Sequence, residues 1–154
     1  MFKRVRAVAA VIALMVPVFF AGMHAALPQP TAKLHRMVIQ VSRDDVEGMN
    51  LALNNVMAAK RLYDSRNEQF QVELVAYGPG ITMLRADNSP VKDRIEEAKK
   101  AVPNLVLSMC GNAKAGAEKR EGHEIFPLPG VGVVPAGVVR VMELQEQGWT
   151  YIRP

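Results

Sequence analysis

Residues 105–112 read Leu-Val-Leu-Ser-Met-Cys-Gly-Asn, a short apolar run that ends at a glycine. A run of this length is typical of a strand that is buried on both faces of a parallel sheet. An alanine-rich segment that suits a helix follows directly, so the chain passes from strand to helix with almost no loop. The stretch therefore predicts one β–α unit.

A similar β–α unit lies near the start of the domain. Residues 37–41 form an apolar run of strand length, and Asp44 and Asp45 after it offer caps for a helix N-terminus. The helix is predicted to run to about Tyr63, because apolar residues then recur at spacings of three and four: Val46, Met49, Leu53, Val56 and Met57.

The segment between these two units predicts a further strand and helix. Residues 70–77 alternate into an apolar run that stops at Gly78, which is typical of a strand followed by a turn. Ser89 and Pro90 then predict the capped start of a helix, and Pro103 ends it.

The C-terminal third completes the pattern. Residues 126–134 predict a short fourth strand with a loop, Pro135 opens a last helix that Gly148 ends, and residues 149–153 predict a closing strand. The inner face of the last helix is predicted from its apolar residues, Val138, Val141, Met142 and Leu144. Strands that alternate with helices indicate a three-layer α/β/α domain, Rossmann-like or flavodoxin-like, with a mostly parallel sheet of about five strands.

The N-terminus has the anatomy of an export signal. Lys3, Arg4 and Arg6 precede an apolar run of about 14 residues, and small residues follow it. A bilayer crossing needs roughly 20 residues, so a cleaved signal is favoured over an anchor. We expect a signal peptide over residues 1–26, a proline-containing linker over 27–32 and one α/β domain over 33–154. The expected location is the periplasm, with an inner-membrane anchor that faces the periplasm as the alternative if the signal is not cleaved.

Removing the signal changes the charge of the protein. The 154 residues include 19 Lys and Arg against 15 Asp and Glu, but residues 1–26 hold three of the basic residues and none of the acidic ones. The remaining domain is almost neutral. A basic face with six or more phosphate contacts is therefore not expected, which argues against a nucleic-acid partner.

Cofactor and metal motifs are absent from the sequence. Residues 130–135, Gly-Val-Gly-Val-Val-Pro, begin like a dinucleotide fingerprint but have proline where the third glycine belongs. The three histidines, His24, His35 and His123, are far apart along the chain and offer no set of metal ligands. The sequence predicts no cofactor and no metal site.

Cys110 is the single cysteine and the main candidate for chemistry. It ends a strand expected near the centre of the sheet, and in open α/β sheets ligands gather at the carboxyl ends of the strands. Gly111 allows a close backbone turn beneath it, and the helix that begins near Asn112 points its amides toward the sulfur. Lys114, four residues on, would add positive charge if the segment is helical. Together these groups favour the thiolate, which is the nucleophilic form.

The alternative is that Cys110 is a small buried hydrophobic residue, as free cysteines often are. Spacing alone does not separate the two interpretations. Arg85, Asp87 and Asn88 follow the second strand and would rim the same crevice, but the ordinary polarity of a loop is the favoured explanation for them.

Several of these segments together resemble the DsrE/DsrF family of small sulfur-relay proteins. The resemblance covers about residues 33–154. It rests on a first strand that is followed by an acidic helix start with asparagines at 42–55, on the strand end at 75–80 and on Met-Cys-Gly-Asn at 109–112. The C-terminal blocks Val-Pro-Ala-Gly-Val-Val at 134–139 and Leu-Gln-Glu-Gln-Gly-Trp-Thr-Tyr-Ile at 144–152 contribute most.

This resemblance implies a Rossmann-like domain that assembles into trimers or hexamers and carries sulfur as a cysteine persulfide between a donor and an acceptor protein. The only residue that it assigns is Cys110. Our expectation is thus a periplasmic sulfur-handling protein, and the alternative is a non-catalytic oligomeric binding or scaffold domain with a structural Cys110. A thiol redox enzyme has less support, since the chain holds no resolving cysteine.

Overall fold

The computed structural model describes residues 33–154, so the expected signal peptide over 1–26 and linker over 27–32 lie outside the described residues. Within 33–154, no helix combines the length and the apolar character that a membrane crossing requires. The strands are β1 Leu34–Val41, β2 Gln69–Ala76, β3 Leu105–Cys110, β4 Gly132–Val134 and β5 Thr150–Ile152. The helices are α1 Val46–Ser65, α2 Lys92–Ala101, α3 Gly111–Glu121 and α4 Gly137–Glu146, with a 3₁₀ helix at Gly78–Leu84.

The five strands form one parallel sheet in the order β4-β3-β2-β1-β5. The fold is a three-layer α/β/α Rossmann-like domain, which confirms the predicted class, and the sheet is parallel throughout. The register brings the carboxyl ends of the strands to one edge, because Val41 pairs with Ala76, Ala76 with Met109, and Cys110 with Val134. The strand-end residues are thereby gathered on one side of the molecule.

The direction of the chain determines which face each helix covers. From β1 to β4 every crossover advances the same way across the sheet, and right-handed crossovers then place their helices on one face. The main core lies on that face, where α1, α2 and α3 pack on the sheet. The chain reverses between β4 and β5, so α4 crosses the opposite face, and its smaller core consists of Val38, Val75, Val141 and Leu144.

Local sequence determines the start of α1 as predicted. Asp45 has extended backbone angles and its carboxylate accepts a hydrogen bond from the N–H of Gly48 at 2.6 Å. This is the N-cap arrangement, which satisfies one of the amides that a helix leaves free at its first turn.

The predicted start of α2 is wrong. Ser89 does not cap this helix, because its hydroxyl donates to the carbonyl of Met83 at 2.5 Å, and the helix begins at Lys92 after Val91. The Ser89 side chain therefore stabilises the backbone of the short loop that follows the 3₁₀ helix, and not the first turn of α2.

The predicted inner face of α4 is half wrong. Val141 and Leu144 are buried, but Val138 and Met142 are 54% and 55% exposed. The helix also begins at Gly137, two residues after the predicted Pro135. A helix with apolar residues on its outer side as well is unusual for a surface position.

Candidate functional site

Cys110 lies at the carboxyl end of β3 and is also the N-cap residue of α3. Its sulfur accepts a hydrogen bond from the N–H of Ala113 at 3.4 Å. The residue is 6% exposed, and β3 lies one position from the central strand β2 rather than at the centre. The predicted combination of a strand end and a helix N-terminus is thus present, at a cysteine that is buried.

The first residue of α4 packs directly on this cysteine. A side-chain carbon at Gly137 would lie 2.7 Å from Cβ of Tyr77 and 3.2 Å from Cβ of Cys110, so only glycine fits without displacement. Burial, with a further contribution from Tyr151, raises the pKa of Tyr77, which keeps its phenol protonated near neutral pH. Cys110 is therefore enclosed between the ends of β2 and β3 and the starts of α3 and α4.

The segment from β4 to α4 contacts the start of α3 through its backbone. The N–H of Asn112 donates to the carbonyl of Pro135 at 3.2 Å, while the Asn112 side chain is exposed. A side-chain carbon at Gly111 would lie 3.2 Å from the carbonyl oxygen of Val134. Gly111 therefore allows a close backbone approach, as predicted. The N–H of Asn112, one of the first-turn amides that have no partner within α3 itself, is hydrogen-bonded to this segment.

Lys114 forms an ion pair within α3. Its ammonium group donates to the Glu118 carboxylate at 2.6 Å, and the same carboxylate oxygen accepts the N–H of Ile125 at 2.9 Å. The hydrogen bond from the N–H of Ile125 is the larger cause and that from Lys114 the smaller one, and both lower the pKa of the Glu118 carboxyl. The positive charge expected to favour a thiolate is thus compensated by a neighbouring carboxylate.

Arg85 is a structural residue of the loop after the 3₁₀ helix. It is 4% exposed and its guanidinium makes paired hydrogen bonds to Asp87 at 3.0 and 2.6 Å and to Glu121 at 2.8 and 2.7 Å. These bonds raise the pKa of Arg85 and lower the pKa values of both carboxyls. Arg85 therefore joins the loop to the end of α3, which agrees with a structural interpretation of the predicted rim residues.

Sequence reasoning missed a buried carboxylate on the second face of the sheet. Glu73 in β2 is 2% exposed and accepts hydrogen bonds from Ser108 at 2.7 Å and from Arg140 at 2.9 and 2.7 Å. The sequence did contain one signal for it, because Glu73 is a charged residue inside the strand run Gln-Phe-Gln-Val-Glu-Leu-Val-Ala. Its side chain alternates to the face of the sheet opposite Phe70. The ion pair between Arg140 and Glu73 attaches α4 to β2, and the hydrogen bond from Ser108 connects β3 to the same carboxylate.

This network forms the floor of a cleft between α4 and the β3–β4 side of the sheet. The cleft has a volume of about 460 Å³, and Val106 and Val139 form part of its apolar wall. Arg140 and Glu143 lie at its rim, with 3.7 Å between the guanidinium and the carboxylate. Volume and lining are within the range of small-molecule and side-chain binding sites.

The crevice at which Rossmann-like proteins most often bind ligands is nearly filled. It lies where the strand order reverses, between β1 and β5. Its volume is about 20 Å³, close to that of one water molecule, and Asp45 and Arg153 line it. The cap formed by Asp45 occupies the N-terminus of α1 here. The strand end at Cys110 is therefore the stronger candidate site.

The fold and site together define a Rossmann-like α/β protein with an unpaired cysteine at a strand end. No family model and no curated protein matches the sequence. Among solved structures, the chain is similar to MTH1491 from Methanobacterium thermoautotrophicum, a protein of unknown function, with 29% identity and a TM-score of 0.62. The likeness covers 78% of this chain and 99% of that chain. It supports the fold and provides no activity to transfer.

Replacing Glu73 with alanine should destabilise the domain by about 2 kcal/mol, because the guanidinium of Arg140 loses its buried partner but keeps partial access to water. The measurement is urea unfolding followed by circular dichroism. Glu143→Ala is the matched control, since it removes an exposed carboxylate from the same guanidinium, and it should cost no more than about 0.5 kcal/mol. Equal effects of the two variants would contradict the structural role of Glu73.

Replacing Arg85 with glutamine should make stability less sensitive to acid. The pKa values of Asp87 and Glu121 are lowered in the folded state from their ordinary values of 3.8 and 4.5. The stability gained from Arg85 is therefore present above those values and disappears as the pH falls through the lower, folded values.

The difference in unfolding free energy between wild type and Arg85→Gln should accordingly be largest near about pH 7 and shrink toward about pH 3. Arg43→Gln, at a side chain that is 79% exposed, is the control and should follow the wild-type pH profile. A difference that stays constant with pH would show that the two carboxyls do not titrate against Arg85.

Proposed function

We propose that this protein carries sulfane sulfur as a persulfide on Cys110 and passes it to a partner protein. The observation that carries the proposal is the Cys110 sulfur at the end of β3, which accepts the N–H of Ala113 at the start of α3. Helix amides stabilise negative charge on a group held at the N-terminus, and both a thiolate and a persulfide are anionic there. The resemblance to the DsrE/DsrF family gives the same assignment for this cysteine.

The reaction needs no external oxidant. The Cys110 thiolate attacks a sulfane sulfur of the donor, a polysulfide or another persulfide, so that one S–S bond forms and one S–S bond of the donor breaks. The donor leaves as the shortened thiolate. In the second step an acceptor thiolate attacks the outer sulfur, and Cys110 is released as a thiolate.

The chain supplies the position of the sulfur and a shielded environment. Cys110 is 6% exposed as a residue, which limits the access of oxidants to its thiol, and a donor reaches the sulfur when neighbouring groups move. The start of α4, which packs on Cys110 and Tyr77 through Gly137, is the group that moves, while the amide of Ala113 at the start of α3 stays on the sulfur. In the periplasm, where the N-terminal sequence predicts export, such shielding would limit loss of an unpaired thiol.

A second candidate is a non-catalytic oligomeric binding domain, in which Cys110 only packs. The observation that favours it is the membership of Cys110 in the main apolar core, together with the separate cleft above Glu73. In that case Cys110→Ser would leave the binding function unchanged.

Incubation of the native protein with polysulfide should add about 32 Da, the mass of one sulfur, at Cys110. Mass spectrometry of the intact protein measures the adduct, and dithiothreitol should remove it. Cys110→Ser is the matched control and should show no adduct, because the chain holds one cysteine. An adduct that forms only after the protein is unfolded in urea would refute sulfur carriage and favour the binding domain.

A further inference from the structure

The cleft above Glu73 combines a volume of about 460 Å³ with an apolar wall. Within residues 33–154, two valines of this wall remain largely open to water: Val106 on β3 and Val139 on α4 are 48% and 47% exposed. Val134 and the segment that follows it continue the wall. A bound molecule whose apolar body lies along these side chains removes their surface from water, which favours binding.

The floor of the cleft presents hydrogen-bond acceptors. Oε2 of Glu73 accepts one hydrogen bond, from Arg140, although a carboxylate oxygen can accept two. Among the described residues, the Ser108 hydroxyl donates to Oε1 of Glu73 and accepts no hydrogen bond in return. A ligand group that reaches this floor must therefore be a donor, and a carboxylate or phosphate group is disfavoured there.

The charged groups that line the cleft leave one negative charge. Glu73 and Arg140 compensate each other through paired hydrogen bonds. The second carboxylate, Glu143, lies at the rim with a side chain that is 52% exposed, and it is 3.7 Å from the same guanidinium, which is beyond hydrogen-bond distance. Two carboxylates thus face one guanidinium, so the cleft favours a cation.

We propose that this cleft binds a small primary amine with an aliphatic body. The ammonium group donates to the Glu143 carboxylate at the rim, where it keeps contact with water, and the aliphatic body lies along Val106 and Val139. A quaternary ammonium group fits less well, because it donates no hydrogen bond. In addition, no aromatic side chain lines the cleft among the described residues, so the cation–π contact that such groups use is not provided.

Titration of the full chain, purified as it accumulates in the cell, with hexylammonium chloride tests the proposal through amide chemical shifts in NMR. The shifts should saturate below about 10 mM and be largest near Val106 and Val139. Butylammonium should bind about 10-fold more weakly, because it buries two fewer methylene groups. Hexyltrimethylammonium should bind at least about 3-fold more weakly than hexylammonium, and hexanoate at least about 10-fold more weakly. Shifts that do not saturate, or equal binding of either of these two compounds, would overturn the proposal.

Glu143→Gln should raise the dissociation constant of hexylammonium by about 5-fold, which corresponds to the loss of one exposed ion pair. Glu146→Gln is the matched control, because Glu146 is an exposed carboxylate one turn further along α4 that does not line the cleft. This variant should bind hexylammonium within about 2-fold of the wild type. Circular dichroism checks that both variants are folded. Equal weakening by the two variants, or by neither, would overturn the placement of the ammonium group.

Cys110→Ser separates this inference from the proposed sulfur chemistry. The variant should bind hexylammonium like the wild type, because Cys110 does not line the cleft. Loss of hexylammonium binding in Cys110→Ser would contradict the assignment of the site to the cleft, whereas failure of persulfide formation in the wild type would leave it unaffected.

Discussion

The handedness of β–α–β crossovers is the constraint on which the rest of this structure depends. Three crossovers in one direction place α1, α2 and α3 on one face, and the single reversal leaves α4 alone on the other. One helix cannot cover five strands. The second face therefore has a small core, an exposed apolar surface and a cleft whose floor is the Glu73 carboxylate.

The same reversal explains the surroundings of Cys110. The chain leaves β4 beside β3 and must turn immediately into α4, so the backbone at Val134 and Pro135 contacts the start of α3, and Gly137 packs on the cysteine. The ion pair between Glu73 and Arg140 holds α4 across the sheet one turn further along. The placement of α4 thus controls the shielding of the thiol and leaves apolar side chains exposed beside the cleft.

Periodicity and capping residues were sufficient to predict the order of elements and the parallel sheet, because these depend on local pattern. The cap at Asp45 and the boundary between β3 and α3 at Cys110 also followed from local sequence. The pairing of particular side chains and the rotation of a helix about its axis did not. The pairing of Lys114 with Glu118 competes with its predicted role, Glu73 becomes buried only through Arg140 67 residues away, and the outer position of Val138 and Met142 depends on the rotation of α4.

The central claim is that Cys110 is a working thiol, reached by local movement of the folded protein. The most direct test is the rate at which iodoacetamide alkylates Cys110 under native conditions, measured at increasing urea concentrations below the unfolding transition. The account predicts a rate that is nearly independent of urea, because opening around Tyr77 and Gly137 exposes little surface. A rate that rises with urea as steeply as global unfolding does would show that the thiol reacts only in the unfolded chain, and would contradict the account.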